Sequence, residues 1–369
     1  MEDKAKLVGG GGQAVYVWAD DLRAFTVRVL AAAGMGPTEA GIVADHLIEA
    51  DLRGVHSHGV LRLLVYPRRL RAGIVAPRST ITVVRETPAT LVVDGGNGMG
   101  HVVGYRAMEL CIVKARQSGA AWAGVRNSNH FGMAGYFAMQ ALPYDYIGLA
   151  MTVGGVNIMA PWGGIDRLLG NNPIAFAIPA GRERPIVLDM AVSVVAKGWI
   201  SMAVESGATS IPAGWALTKD GEPTTDPNEA NEGLVAPMGG YKGANLAIVI
   251  GILAGILPGA TFGKAVREIS GEGGPPPNIG HLFGAIAVES FMDPVGFKAL
   301  VDVAIQELKG SRRATGVETI LMPGEAEYLK AEEYRDSGVP VDVAIHEKLQ
   351  ALAAEFGVEG LPKPERWRA

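Results

Sequence analysis

One short stretch stands out for its chemistry: HSHG at residues 56–59, followed by Arg62. A helix beginning at Ser57 or His58 would place His58 and Arg62 on one face. An imidazole could then donate a proton beside a guanidinium that binds a carboxylate through two hydrogen bonds, which suits a 2-oxo acid. The alternatives are a serine N-cap with solvated side chains, or a metal site at His56 and His58 that lacks an obvious third ligand.

A second polar cluster, NSNHFG at residues 127–132, lies between a predicted strand and a predicted helix. Loops at such junctions in α/β domains often bind ligands, and His130 lies in this one. Backbone amides and small polar side chains suit phosphates or the carboxamide of a nicotinamide. A helix-capping loop is the alternative, since Ser and Asn are common cap residues.

Two further ionisable residues lie at the ends of predicted elements. Asp189 closes the apolar strand predicted at 185–190, where a carboxylate can orient a histidine and hold its tautomer. Its alternative role is a helix cap. Lys242 lies between glycines before a predicted apolar helix, where it can reach a phosphate or a substrate; an ordinary exposed lysine is the alternative.

Glycine is abundant, with 50 of 369 residues, but no stretch matches the dinucleotide fingerprint G-x-G-x-x-G or the P-loop pattern. Residues 90–104 look like a nucleotide-binding strand, loop and helix, yet their glycine spacing fails. If the protein binds a dinucleotide, we therefore expect it to do so without a Rossmann fingerprint.

Composition narrows the class of protein. Lys and Arg number 33 against 38 Asp and Glu, a formal net charge of −5, which argues against a nucleic-acid binder. The single cysteine, Cys111, can form no intramolecular disulfide and is typical of a reducing cytoplasm. The longest apolar run, 244–257, is too short to cross a bilayer, so we expect a buried helix there and no membrane association.

Hydrophobic periodicity predicts helices towards both ends of the chain and strands in the middle. The predicted helices are 19–34, 37–54, 58–73, 101–119, 131–142, 192–205, 244–257, 294–309, 325–335 and 341–356. The predicted strands are 80–84, 90–93, 121–126, 147–153, 173–178, 185–190 and 284–290. We expect a flexible tail at 1–13, a helical domain from 14–85 together with 294–369, and a sheet domain at 86–293.

Seven stretches, taken in order, resemble the type 2 malate/L-lactate dehydrogenase family, which includes ureidoglycolate, sulfolactate and Δ1-piperideine-2-carboxylate oxidoreductases. They are ADLRGVHSHGVLR at 50–62, NSNHFG at 127–132, APWGG at 160–164, GNNPIAF at 170–176, VLDMA at 187–191, GGYKG at 239–243 and MPGE at 322–325. No single motif is decisive, but their shared order over most of the chain is specific.

The resemblance implies an α/β fold of α+β character. Its non-Rossmann NAD(P)-binding domain would have a mixed, mostly antiparallel sheet, beside a helical domain formed from both chain ends. The helical domain would serve substrate binding and dimerisation, and the active site would lie between the two. A homodimer or larger homo-oligomer in the cytoplasm is also implied.

The resemblance also implies roles for individual residues. By motif position, Ser57, His58 and Asp189 resemble the family's hydrogen-bonded relay, with His58 as the proton donor. Some members are instead assigned the histidine that corresponds to His130 as the acid/base, and Arg62 resembles the ligand of the substrate carboxylate. The positions that would line the NAD or NADP cofactor are His130, Asp189, Met190, Ala191, Lys242, Gly324 and Glu325.

Two stretches depart from the family pattern. Residues 152–155 read TVGG, with an extra residue where Thr-Asn-Ser is usual, and residues 244–245 read AN in place of Tyr-Gly. Both could alter the preference for cofactor or substrate.

The expected function is hydride transfer between NAD(P)(H) and C2 of a small 2-oxo or 2-hydroxy acid, with a histidine exchanging a proton with the substrate oxygen. The alternatives are an NADPH-dependent reductase of a cyclic imine 2-carboxylate, a non-catalytic paralogue, and a metal hydrolase using His56, His58 and His130. No bound metal is expected.

Overall fold

The computed structural model describes residues 14–267 and 274–362 and the backbone of 367–368. The tail expected at 1–13 lies outside these residues. The helices are α1 (Ala19–Ala32), α2 (Pro37–Leu52), α3 (Tyr66–Arg71), α4 (Gly100–Ser118), α5 (Ala134–Met139), α6 (Lys197–Glu205), α7 (Pro227–Glu232), α8 (Tyr241–Gly251), α9 (Pro294–Lys309), α10 (Glu325–Ser337) and α11 (Val343–Phe356). The strands are β1 (Ala14–Val17), β2 (Thr82–Glu86), β3 (Thr90–Asp94), β4 (Ala120–Ser128), β5 (Tyr146–Thr152), β6 (Ile174–Ile178), β7 (Ile186–Met190), β8 (Ala216–Leu217), β9 (Pro223–Thr224), β10 (Leu234–Val235), β11 (Ile279–Ala287), β12 (Val339–Asp342) and β13 (Trp367–Arg368).

A seven-stranded sheet forms the centre of the molecule, in the order β2-β3-β4-β11-β5-β6-β7. The β3–β4 pair is parallel, and the other neighbouring pairs run antiparallel. This confirms the expected mixed, mostly antiparallel sheet. The parallel pair is joined through α4, so residues 90–104 do form a strand, a loop and the start of a helix, but without the glycine spacing of the dinucleotide fingerprint.

Strand β11 lies in the middle of this sheet, between β4 and β5. Phe283 is opposite Ala123 on one side and Ala150 on the other. The strand begins at Ile279, earlier than the predicted 284, because its first residues pair with the ends of both neighbours. Small residues on β4 and β5 let α4 and α5 pack closely on one face of the sheet.

The helical layer has its own core, formed mainly by α1, α2 and α11 with β1 and β12. Sequence analysis missed a small sheet here, in which β1 lies between β12 and β13. Strands of four residues or fewer give too few alternations for a period of two to be recognised.

Two contacts bear on the expected domain boundaries. The boundary at 85/86 passes through β2, which pairs with β3 in the central sheet. Helix α9 was expected in the helical layer, but Asp302 on this helix accepts hydrogen bonds from the backbone amides of residues 181–183, between β6 and β7. We therefore propose that the sheet domain begins at β2 and includes α9.

The helix predicted at 58–73 is wrong in its first half. Short 3₁₀ turns at His56–His58 and Val60–Leu64 are separated by an extended Gly59, and only α3 follows as an α-helix. The cause is the buried carboxylate of Asp51, near the end of α2. It accepts hydrogen bonds from the Val60 amide (2.7 Å) and from His56 Nδ1 (3.0 Å), which pulls the chain out of helical geometry.

Three other helices differ from their predicted extents. The regular helices begin at 134 and 197 rather than 131 and 192, and small elements β8 to β10 and α7 occupy the segment expected to be loop. The predicted buried helix at 244–257 begins at Tyr241, continues as a π-type turn at Ile252–Ile256, and is half exposed on one side. Within the described ranges, none of the helices is both long and apolar enough to span a membrane.

Gly59→Ala tests the contact at the Asp51 carboxylate. An added Cβ would overlap that carboxylate, which is held by two hydrogen bonds. We expect the free energy of unfolding to fall by about 1–3 kcal/mol, as in other overpacked sites. Urea denaturation measures it. Gly198→Ala is the control, because no atom lies within 4 Å of a Cβ added there. Equal stability of the two variants would contradict the role of Asp51.

Candidate active site

A cavity of about 520 Å³ lies between α5, β7, residues 53–58 and the turn before α10. Its volume falls in the range of roughly 300–1,000 Å³ that is typical of small-molecule sites. The predicted site residues that line it are Ser57, His58, Asp189, Met190, Ala191 and Gly324. Stretches far apart in sequence are therefore brought to one site.

His58 enters this site from the 3₁₀ turn that Asp51 holds. The Ser57 hydroxyl lies 2.9 Å from His58 Nδ1, so half of the predicted relay is present. Burial, together with the nearby charge of Arg62, lowers the pKa of His58 to about 3. His58 is therefore neutral at pH 7 in the ligand-free protein.

Arg62 lies beside the histidines but is not on the helix that the sequence predicted. Its Nε donates a 2.7 Å hydrogen bond to the Ser57 carbonyl oxygen, which spans the break at Gly59. Its charge contributes to the lowered pKa of both His58 and His130. The guanidinium is thus near enough for its charge to act on both imidazoles.

His130 stacks on His58, with ring centroids 5.4 Å apart and an interplanar angle of 21°. The Tyr66 hydroxyl lies 2.7 Å from His130 Nδ1. Burial lowers the pKa of His130 well below its ordinary value, and the charge of Arg62 adds to this. Each ring of the pair thus has Nδ1 next to a hydroxyl group, and both rings border a smaller cavity of about 40 Å³.

The loop that carries His130 is held by buried polar contacts on both sides. The Asn129 side-chain amide donates to the backbone carbonyls of Asn97 and Gly98. After His130, the Met133 amide donates to His46 Nε2 at 2.8 Å. Helix α5 has no side-chain N-cap, so the capping alternative does not account for this cluster.

Asp189 lies at the end of β7, as predicted, but has another partner. Its Oδ2 accepts a 2.7 Å hydrogen bond from the Gly135 amide at the start of α5. Among the described residues, no hydrogen bond joins Asp189 to His58. Burial raises the pKa of Asp189 to about 6, so its charge changes near neutral pH.

Three predicted cofactor residues do not line the larger cavity: His130, which borders the smaller one, Lys242 and Glu325. Lys242 is exposed at the start of α8. Glu325 accepts from Lys309 Nζ at 2.6 Å and from the Met322 amide at 2.9 Å. These bonds hold the turn in which Gly324 packs against Val187 with a φ of +84°. Glu325 thus shapes the wall of the cavity without lining it.

No metal centre is apparent in residues 14–267 and 274–362, where no three His, Cys, Asp or Glu side chains are grouped to bind an ion. His56, one member of the suggested metal pair, has its Nδ1 on Asp51. The structure instead brings together the stacked pair of His58 and His130, the Arg62 guanidinium and the adjoining larger cavity.

Comparison with known proteins shows which family this chain resembles. The malate/L-lactate dehydrogenase family model matches residues 17–350. The malate dehydrogenase of Pyrococcus horikoshii is 41% identical over 355 residues, which is 94% of this chain and 97% of that one. Its solved structure covers the same shares of the two chains, with a TM-score of 0.86 at 40% identity.

The chain belongs to the malate/L-lactate dehydrogenase family. It is therefore a dehydrogenase of the malate/lactate type, as the seven motifs implied. The L-sulfolactate dehydrogenase of Methanocaldococcus jannaschii is 41% identical over 334 residues, with coverage of 90% and 94%. The Δ1-pyrroline-2-carboxylate reductase of Ancylobacter novellus is 33% identical over 323 residues, with coverage of 88% and 93%.

In this family member, the structure shows a buried histidine next to the site that sequence analysis missed. His281 on β11 has Nδ1 2.7 Å from Thr152 Oγ1 and Nε2 2.9 Å from Ser128 Oγ. The ring of Phe131 stacks on it at 4.6 Å. His281 thus joins the end of β4, which leads to His130, to the end of β5. Nothing in its local sequence indicates this position, because the contacts come from sheet pairing.

Residues 152–155, which depart from the family pattern, line the smaller cavity beside His58 and His130. Asn172 holds it in place, accepting a 2.8 Å hydrogen bond from the Gly154 amide and donating to the Ala247 carbonyl. The GNNPIAF motif at 170–176 was the sequence feature that could have indicated a structural role for Asn172. In the second departure, Ala244 is buried and Asn245 is exposed on α8, and neither lines the cavity.

Proposed function

We propose that this dehydrogenase transfers a hydride between NAD(P)(H) and C2 of a small 2-oxo or 2-hydroxy acid of the malate or lactate kind. The observation that carries the proposal is the stacked His58–His130 pair beside Arg62, at the junction of the two cavities. Malate and sulfolactate, named for two relatives, are both 2-hydroxy acids, which supports this substrate class.

The larger cavity fits a nicotinamide nucleotide. It combines apolar wall residues such as Val187 and Leu188 with the Asp189 carboxyl group, a mixture typical of sites that bind a ring carrying polar groups. The segment 189–191 and Gly324 would hold the nicotinamide. When bound, the nucleotide supplies or accepts the hydride. Both NAD and NADP remain candidates.

The histidine pair exchanges a proton with the substrate oxygen. Beside Arg62, two protonated rings 5.4 Å apart would repel each other strongly, so the pair holds at most one transferable proton. The proton goes to the substrate oxygen during reduction and returns during oxidation. Arg62 binds the substrate carboxylate, whose charge offsets that of Arg62 and raises the histidine pKa when substrate is present.

An imine reductase is the second candidate, since a relative reduces Δ1-pyrroline-2-carboxylate according to its name. The same groups would serve, because a cyclic imine carboxylate presents C=N where a 2-oxo acid presents C=O. The substrate panel below separates the two reactions.

The first test follows oxidation of NADH and NADPH with pyruvate, oxaloacetate, other 2-oxo acids and Δ1-piperideine-2-carboxylate. We expect turnover of a 2-oxo acid. His58→Ala and His130→Ala should lower kcat/KM, and the proton donor should lose about 10²–10⁴-fold. His346→Ala in the helical layer is the control and should retain activity. If both site variants kept wild-type rates, the pair would have no role in proton transfer.

The pH dependence follows from the lowered histidine pKa. His58, with a pKa of about 3, and His130 are neutral in the free enzyme at neutral pH. A neutral histidine is ready to accept a proton, so kcat/KM for hydroxy-acid oxidation should be flat from about pH 6 to 8. Reduction needs the scarce protonated form, so its kcat/KM should fall about tenfold per pH unit. Measurements at saturating cofactor check this, and a pH-independent reduction would contradict it.

We also propose a homodimer or larger homo-oligomer. Tyr241, Val249, Ile252 and Ile256 form an apolar stripe along α8 and the turn that follows, each 43–54% exposed. Such stripes commonly mark subunit contacts. Val249→Asp should weaken self-association in sedimentation velocity, whereas Val113→Asp, at an exposed position of α4, should not. A wild-type chain that sediments as a monomer would contradict this proposal.

A further inference from the structure

Arg53 is a buried guanidinium whose hydrogen-bonding capacity is only partly used. It follows α2 and lines the larger cavity, and its side chain is 6% exposed. Its Nε donates to Glu49 Oε1 at 2.6 Å, and its guanidinium carbon lies 4.4 Å from the centroid of the Tyr328 ring. Neither Nη1 nor Nη2 forms a hydrogen bond with any described residue.

Because Arg53 lines the cavity, these two charged donors are available to a ligand that supplies oxygen acceptors. The contacts with Glu49 and Tyr328 also fix the plane of the guanidinium, so little entropy is lost when it binds. Arg53 therefore has the properties of a preformed anion site.

The charges around the cavity identify the anion. Of the described residues that line it, Arg53 is the one lysine or arginine, whereas Asp189 and Glu327 contribute two carboxyl groups. A dianion such as the diphosphate of a dinucleotide is repelled by those carboxylates and needs a cation at the site. Arg62, tied to the Ser57 carbonyl, lies beside the histidines and does not line this cavity.

We propose that Arg53 binds the diphosphate of the nicotinamide nucleotide through Nη1 and Nη2. The proposal rests on the proposed function, because it takes NAD(P) as the occupant of the larger cavity. Arg53 and Arg62 then divide the anions between them: Arg53 binds the cofactor diphosphate, and Arg62 binds the substrate carboxylate.

The test measures nucleotide binding without substrate. The Kd values of NADH and NADPH are determined by fluorescence titration at low and high salt for wild type and Arg53→Met. We expect the variant to bind at least about tenfold more weakly, the effect of losing a charge-assisted hydrogen bond. Its binding should also depend less on salt. ADP-ribose, which keeps the diphosphate but lacks nicotinamide, should lose affinity by a similar factor as a competitor.

Arg335→Met is the matched control. Arg335 also approaches Glu49, with Nη2 3.6 Å from Oε2, but it is 52% exposed and does not line the cavity. This variant should bind NADH within about twofold of wild type. Arg53→Lys keeps the charge but loses the planar fork, and we expect an intermediate Kd.

Four outcomes would overturn the assignment. An unchanged NADH Kd in Arg53→Met with a raised KM for the 2-oxo acid would place the substrate carboxylate on Arg53. An unchanged Kd with a lower thermal midpoint would leave Arg53 a structural role only. If wild type bound neither nucleotide, the proposed function itself would fail, and this assignment with it. Wild-type binding that persists unchanged in all variants would overturn the Arg53 assignment alone.

Discussion

The active-site geometry depends on one buried carboxylate. Asp51 is 2% exposed, and burial raises its pKa, while the hydrogen bonds with His56 and Val60 stabilise its charged form. Helix α2 ends at Leu52, Gly54 follows with a φ of +73°, and the Asp51 bonds then hold the 3₁₀ turns that come next. The turn that results presents Ser57 and His58 to the cavity, and Gly59 is required because a side chain there would occupy the space of the carboxylate.

The charges in and around the site are distributed unevenly. Five histidines lie in or near it, of which His46, His101 and His281 are fully buried and His58 and His130 half-buried, and desolvation lowers the pKa of each. Positive charge therefore comes from arginines placed on separate sides, Arg62 beside the histidines and Arg53 beside the carboxyl groups. This separation allows two anionic ligands to be held next to each other without competing for one cation.

Features encoded by local sequence were predictable here. The strands of the central sheet, the first two helices and the motif residues of the cavity follow from periodicity and from the order of the seven stretches. Features that depend on distant contacts were not. The break at Gly59 depends on the Asp51 carboxylate, and the position of His281 depends on the pairing of β11. The hydrogen bond between Asp189 and the Gly135 amide likewise joins residues far apart in the sequence. Lys242 shows the reverse case, since its motif matches the family while its side chain lies outside the cavity.

The position of β11 has a consequence for how the chain reaches this fold. Strand β5 ends at Thr152, and the strand that joins it to β4 begins only at Ile279. During synthesis, the facing edges of β4 and β5 stay unpaired until that late segment emerges, and contacts of such long range are slow to form. A chain that ends before β11 keeps two separate half-sheets with open edges, which are templates for aggregation. The sheet from which the His130 loop extends is thus completed by one of the last strands to be made.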